Sequence, residues 1–235
     1  MSTRSSSMNP LLLASACSGS RQALSFLLTR QEDAPHLVVP TQEFLNLLLQ
    51  GNSSSSSSTL PAAVASLDVE EGGADHTTAP LATPLLDGVT VDGGTALHVV
   101  ATCGDDDNFL TSADVLATKG NIILVSQDNN GDTPLHCAAR AGRHRMVARL
   151  IALAAKECCN LGVKEAVLRM ENKRRETALH EAVRLGSKRM VELLMAADPE
   201  LARFPEQGTS PLYLAITLQR AEIAESLERI PCFHY

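Results

Sequence analysis

Thr-Ala-Leu-His at 95–98, Thr-Pro-Leu-His at 133–136, Thr-Ala-Leu-His at 177–180 and Ser-Pro-Leu-Tyr at 210–213 are variants of one phrase, set 38, 44 and 33 residues apart. Self-similarity at such a period is the mark of stacked supersecondary units, each too thin to bury its apolar face alone. The expected fold is therefore all-α: a solenoid of helix–turn–helix repeats with short hairpin tips. Such a pile offers an extended surface in place of one deep pocket, so function is expected to be binding another macromolecule.

The best copy shows what each residue does. Asp128-Asn-Asn-Gly131-Asp132 reads as the hairpin tip. Thr133 is placed to cap the first helix, and Pro134 takes the first helical position, where a missing N–H costs nothing. Leu135 faces the core, Ala138 and Ala139 admit the neighbouring layer, and Gly142 allows a positive φ. Met146, Val147, Leu150 and Ile151 then form the stripe of the second helix. Thr177, Leu179, His180, Ala182 and Gly186 repeat the pattern, as do Thr95 and His98 in the first copy. About 11 extra residues around Cys158–Leu168 predict a longer second helix or a short additional one. Arg175 stands at the tip position where the other copies have glycine, and Gln219 replaces the turn glycine of the fourth copy.

Upstream, residues 9–30 resemble a repeat without its hairpin. Asn9 and Pro10 start a helix, Gly19 ends it, and Ala23, Leu24, Leu27 and Leu28 form a stripe. A further helix is expected over 41–50, capped by Thr41 and closed by Gly51. Ser53–Ser58, Gly72, Gly73 and scattered prolines then mark 51–88 as a low-complexity, flexible segment. The expected organisation is 1–50, degenerate helices; 51–88, linker; 89–231, the array, with units near 90–120, 128–168, 171–204 and 205–230.

Net charge is −7, yet residues 140–189 hold 13 Lys/Arg against 5 Asp/Glu, a local +8 that leaves −15 elsewhere. That asymmetry can steer an acidic partner. Direct nucleic-acid binding is not expected: the chain is acidic overall and aromatics for stacking make up only 3%. The six cysteines show no disulfide framework and read as reduced thiols of a cytoplasmic protein. No apolar run reaches the roughly 18 residues needed to span a bilayer. No catalytic residue, metal ligand, cofactor site or small-molecule substrate is indicated. His98, His136 and His180 fall about one layer apart, roughly 10 Å, and cannot share one ion. His180-Glu-Ala-Val-Arg184 has arginine where a zinc-protease helix needs its second histidine.

The phrases quoted above, T-P-L-H-x-A-A-R-x-G at 133–142 above all, resemble the ankyrin repeat family, strongly over 90–230 and weakly over 9–50. GGTALHVVATCGD (93–105), NNGDTPLHCAARAG (129–142) and RRETALHEAVRLGSKRMVELLM (174–195) look like plant ankyrin proteins of the accelerated-cell-death type. Members of that family join the array to C-terminal membrane-spanning helices and act in defence, salicylate-linked or stress signalling; this chain lacks a comparable hydrophobic region. The resemblance implies a non-catalytic protein–protein adaptor or regulator, the alternative being a truncated member whose membrane region is missing. It also implies a concave face of hairpin tips and first-helix outer positions. On this chain those are Val91, Asp92 and Gly94; Asn129, Asn130, Asp132, Arg140 and Ala141; and Lys173, Arg174, Glu176, Arg184 and Leu185.

Overall fold

Two kinds of helix alternate along the chain, and each kind packs against its own counterparts. The computed structural model describes residues 7–33, 42–51, 85–119, 121–156 and 163–228. Unit one comprises α1 (Pro10–Ser18) and α2 (Arg21–Asp33), followed by an added helix α3 (Gln42–Gly51). Unit two is α4 (Ala96–Cys103) with α5 (Asp107–Lys119); unit three is α6 (Pro134–Arg140) with α7 (His144–Lys156), followed by α8 (Val163–Arg169). Unit four is α9 (Ala178–Leu185) with α10 (Lys188–Ala197), and unit five is α11 (Pro211–Thr217) with α12 (Ala221–Glu228). The first helices α1, α4, α6, α9 and α11 form one continuous layer, and α2, α5, α7, α10 and α12 a second. The result is an all-α solenoid.

The core runs the length of the stack. Leu12, Leu97, Leu135 and Leu179 are buried in the first-helix layer, and Leu24, Leu116, Met146, Leu150, Met190 and Leu194 in the second. Small residues, Ala16, Ala101, Ala138 and Ala182, stand where adjacent first helices approach. A bulkier side chain there would push the layers apart.

Each histidine of the repeated phrase ties one layer to the next. The Nδ1 atoms of His98, His136 and His180 accept the backbone N–H of Thr95, Thr133 and Thr177 at 3.0, 3.2 and 3.0 Å. Nδ1 is therefore unprotonated, and the ring proton sits on Nε2. From there it is donated to the following unit: to Asp132 O at 2.9 Å, Glu176 O at 2.9 Å and Thr209 O at 2.8 Å. Threonine and histidine together form a capping box in which imidazole does the work usually given to glutamate. In unit five, Tyr213 holds the position and is exposed, as are Ile216 and Leu218.

The amino-terminal unit is stacked on the array. Ser112 Oγ donates to Gly19 O at 2.9 Å, and Met8 N donates to Val89 O at 2.8 Å, where Ser7 and Val89 form an isolated bridge. The expected linker 51–88 is thereby corrected at its end. Leu85–Asp87 forms a 3-10 turn with Leu85 buried, because this stretch doubles as the hairpin entry between units one and two. Residues 52–84, Thr41, Cys158, Cys159 and Cys232 lie outside the described residues. Of the two expectations for the insertion before unit four, the short extra helix is the one formed: α8 packs on α7.

Arg175 and Gln219 occupy the left-handed region, each at φ 56°. They adopt the left-handed backbone that Gly93 and Gly131 provide at the tips and Gly142 and Gly186 at the turns. A left-handed conformation costs a residue with a Cβ about 1–2 kcal/mol, and glycine's larger unfolded-state entropy returns roughly 0.5–1 kcal/mol of that. Arg175→Gly is thus expected to stabilise the fold by about 0.5–1 kcal/mol, read as a higher urea midpoint at unchanged slope. A lower midpoint would show that the Arg175 side chain, which reaches Gln207, matters more than its backbone.

Candidate partner-binding surface

The hairpin tips are joined into a ribbon by main-chain bonds. Asn129 N donates to Asp92 O and Lys173 N to Asn130 O, both at 2.9 Å. Within unit three, Asp128 Oδ1 accepts the N–H groups of Asn130 and Asp132 at 2.7 and 2.9 Å. Asn172 Oδ1 repeats this in unit four, accepting from Arg174 and Glu176 at 2.9 and 3.1 Å. The approach between tips is close: a Cβ on Gly131 would come within 2.8 Å of Lys173 N.

Behind the ribbon lies a lattice of ion pairs spanning units three and four. Arg140 Nη2 donates to Asp132 Oδ2 at 2.6 Å and to Glu181 Oε1 at 2.9 Å. Arg174 Nη2 reaches the same Glu181 oxygen at 2.8 Å, and its Nε lies 3.1 Å from Glu176 Oε2. Arg184 pairs with Glu176, and Asn172 Nδ2 donates to Asp132 Oδ1 at 2.8 Å. The two charges are unequally placed. The carboxylate side chains of Asp132, Glu181 and Glu176 are 2%, 4% and 10% exposed, whereas Arg140, Arg174 and Arg184 are 43%, 57% and 32% exposed. The lattice is close to neutral, but solvent meets its cationic side.

Electrostatics follow from that arrangement. For Asp132, burial favours the neutral acid, but hydrogen bonds from Asn172 and Arg140 prevail and hold its pKa below the usual range. Glu176 behaves likewise, burial being outweighed by Arg184. Arg140 is held more firmly protonated, chiefly by its bond to Glu181. Asn130, Asp132, Arg140, Lys173 and Arg174 line a cleft of about 320 Å³. Arg140 and Arg174 bind their carboxylates through only some of their five N–H groups, so their forks keep donors for a planar anion.

The residues expected on the concave face divide accordingly. Asn129, Asn130, Lys173 and Arg174 are exposed at the tips, with Arg140 beside them, and Val91, Asp92 and Leu185 are exposed too. Asp132 and Glu176 require correction as direct contacts: their carboxylates face inward and hold guanidiniums. Gly94 is buried against His98, and Arg184 is half-buried between Glu176 and Glu181. Asn172 and Glu181 escaped sequence reasoning, although both are hubs. The available signal was Glu181 three residues before Arg184, at a helix position filled by Val99 and Cys137 in other copies. His98, His136 and His180 do not converge on an ion, since each has both ring nitrogens committed to backbone groups.

Hairpin-tipped helical pairs, stacked in two layers and bolted by neutral imidazoles, define an α-solenoid of the macromolecule-binding class. The family model describing ankyrin repeats matches residues 41–160 and 152–229, and the chain belongs to the ankyrin repeat family. Ankyrin repeats generally mediate protein–protein interaction and are typically non-catalytic. No curated protein matches the chain. Among the described residues, no helix is long and apolar enough to cross a membrane.

Proposed function

We propose that this chain is a protein-binding module without catalysis, and that it grips its partner at the cleft between the tips of units three and four. Outward guanidiniums over buried carboxylates carry the reading. Lys173, Arg140 and Arg174 offer a cationic surface whose geometry is fixed before a partner arrives, which lowers the ordering cost of binding. The partner segment that fits is acidic, docking with the tip amides of Asn129 and Asn130 alongside. Kinship with plant ankyrin proteins of the accelerated-cell-death type, and an adaptor role in defence or stress signalling, are supported by the three phrases at 93–105, 129–142 and 174–195. The unbridged thiols Cys17, Cys103 and Cys137 fit a cytoplasmic, reducing location.

Capture from native extract tests this. Immobilised protein should retain partners that elute as salt rises from roughly 0.1 to 0.5 M, because the contacts are charged and exposed. Asn130→Glu/Lys173→Glu should abolish retention, whereas Arg189→Glu, on the second-helix layer, should not. Equal retention by all three proteins would remove the cleft, and retention no better than bare resin would remove the binding module itself.

A further inference from the structure

We propose that Cys17 and Cys103 form a peroxide-reactive dithiol that closes into a disulfide between unit one and unit two. The site stands apart from the cationic cleft and does not depend on what binds there. Cys17 lies in the last turn of α1 and Cys103 ends α4, and these two helices pack side by side. Their carboxyl ends converge on one aromatic ring: a Cβ on Gly19 would fall 2.8 Å from Phe109, and one on Gly104 would fall 2.0 Å from it. Cys17 precedes Gly19 by two residues and Cys103 immediately precedes Gly104, so the same convergence brings the two thiols near enough for each to shift the other's ionisation. Neither is bridged, and Cys103 is exposed.

The corner is also electrically prepared. Arg143 Nε donates to Thr102 O at 3.2 Å and Nη2 to Cys103 O at 3.1 Å. The carboxyl end of a helix ordinarily disfavours an anion; here the guanidinium caps those carbonyls, and its positive charge favours the thiolate. Interaction with Cys17 holds Cys103 below the ordinary thiol range, burial opposes, and Arg143 adds to the lowering. The same interaction, with burial, pushes Cys17 up, so it stays a thiol. Cys137 supplies the contrast: burial raises it to about 11. Exposure, and the Arg143 guanidinium on its own carbonyl, make Cys103 the nucleophile and half-buried Cys17 the resolving group.

The chemistry balances with hydrogen peroxide as the oxidant. Cys103 thiolate attacks one peroxide oxygen; the S–O bond forms, the O–O bond breaks and hydroxide leaves. Cys17 then attacks the sulfenic sulfur; the S–S bond forms, the S–O bond breaks, and the departing hydroxide takes the Cys17 proton as water. Two thiols and one peroxide give one disulfide and two waters. The bond closes the chain across 17–103 and staples the amino-terminal unit to the array, a long loop of the kind that most constrains the unfolded state.

Reduced full-length protein, freed of reductant and treated with stoichiometric hydrogen peroxide at pH 7.5, tests the assignment by differential alkylation and non-reducing peptide mapping. The expected result is a monomer lacking two hydrogens, a joined Cys17–Cys103 peptide formed before any other pair, and a higher melting temperature that reductant reverses. Cys17→Ser should leave Cys103 as a dimedone-trappable sulfenic acid, and Cys137→Ser should change nothing. Melting of the reduced variants confirms that each is folded. A first disulfide that joins other cysteines or two chains would overturn the proposal, as would Cys103 passing to sulfinic acid with Cys17 still free.

Discussion

Leu135→Ala is expected to lower the free energy of unfolding by about 2–5 kcal/mol, the range for removing a leucine from a closed core. Leu135 is 1% exposed and sits in α6, between α4 and α9. In a stack of thin units, each contacts only its neighbours, so stability is close to a sum of unit and interface contributions. A cavity in the middle unit therefore weakens both of its interfaces at once. The expected signature in urea is a lower midpoint together with a broader transition, as the two ends begin to unfold separately. Leu212→Ala, in half-buried surroundings on α11, should cost less and leave the sharpness intact. A loss at Leu135 below about 1 kcal/mol would mean that α6 is not clamped between two layers.

Much of this architecture was written locally, and what was not shares a physical cause. The capping threonine, core leucine, small pair and turn glycine each act within one unit, so the phrase at 133–142 predicted α6, its start and its end. Arg175 and Gln219 were visible as departures because glycine is the expected residue there, and both take up glycine's backbone. Direction of burial was harder to read. Asp132 and Glu176 look like surface charges in the sequence, yet their carboxylates point inward because a guanidinium of the same unit, Arg140 or Arg184, meets each of them there. Arg140 and Glu181 are 41 residues apart and share a bond through the register of two stacked hairpins, which no local periodicity encodes. Cys17 and Cys103 are separated further still. Their meeting depends on unit one docking onto unit two, and a repeat missing its hairpin does not announce which face it offers.

Acid should unfold this protein earlier than its carboxylates alone would require, because the histidine bolts hold only in the neutral state. Each ring accepts at Nδ1 from a threonine N–H, so protonation there places two hydrogens against each other and breaks the cap. Burial, the largest influence, lowers the pKa of His98, His136 and His180 below the ordinary value of 6.5, more than the backbone carbonyls at Nε2 raise it. In the unfolded chain these rings take up protons near pH 6.5 while the folded rings do not. The unfolded state then binds more protons, so stability is fully present above that pH and is lost as the pH falls. Three such groups set a limiting slope of about 4 kcal/mol per pH unit between pH 6.5 and their folded values. Asp132 and Glu176, held below the carboxylate range, add a second loss only when the pH drops through about 4. Urea titrations at pH 7.5, 6.5 and 5.5 should show a stability that declines mainly over the last interval, and His136→Gln should start lower but flatten that decline by one proton's share. A stability unchanged from pH 7.5 to 5.5 would mean that the imidazoles can charge in place, and that something other than their neutral bridge joins one layer to the next.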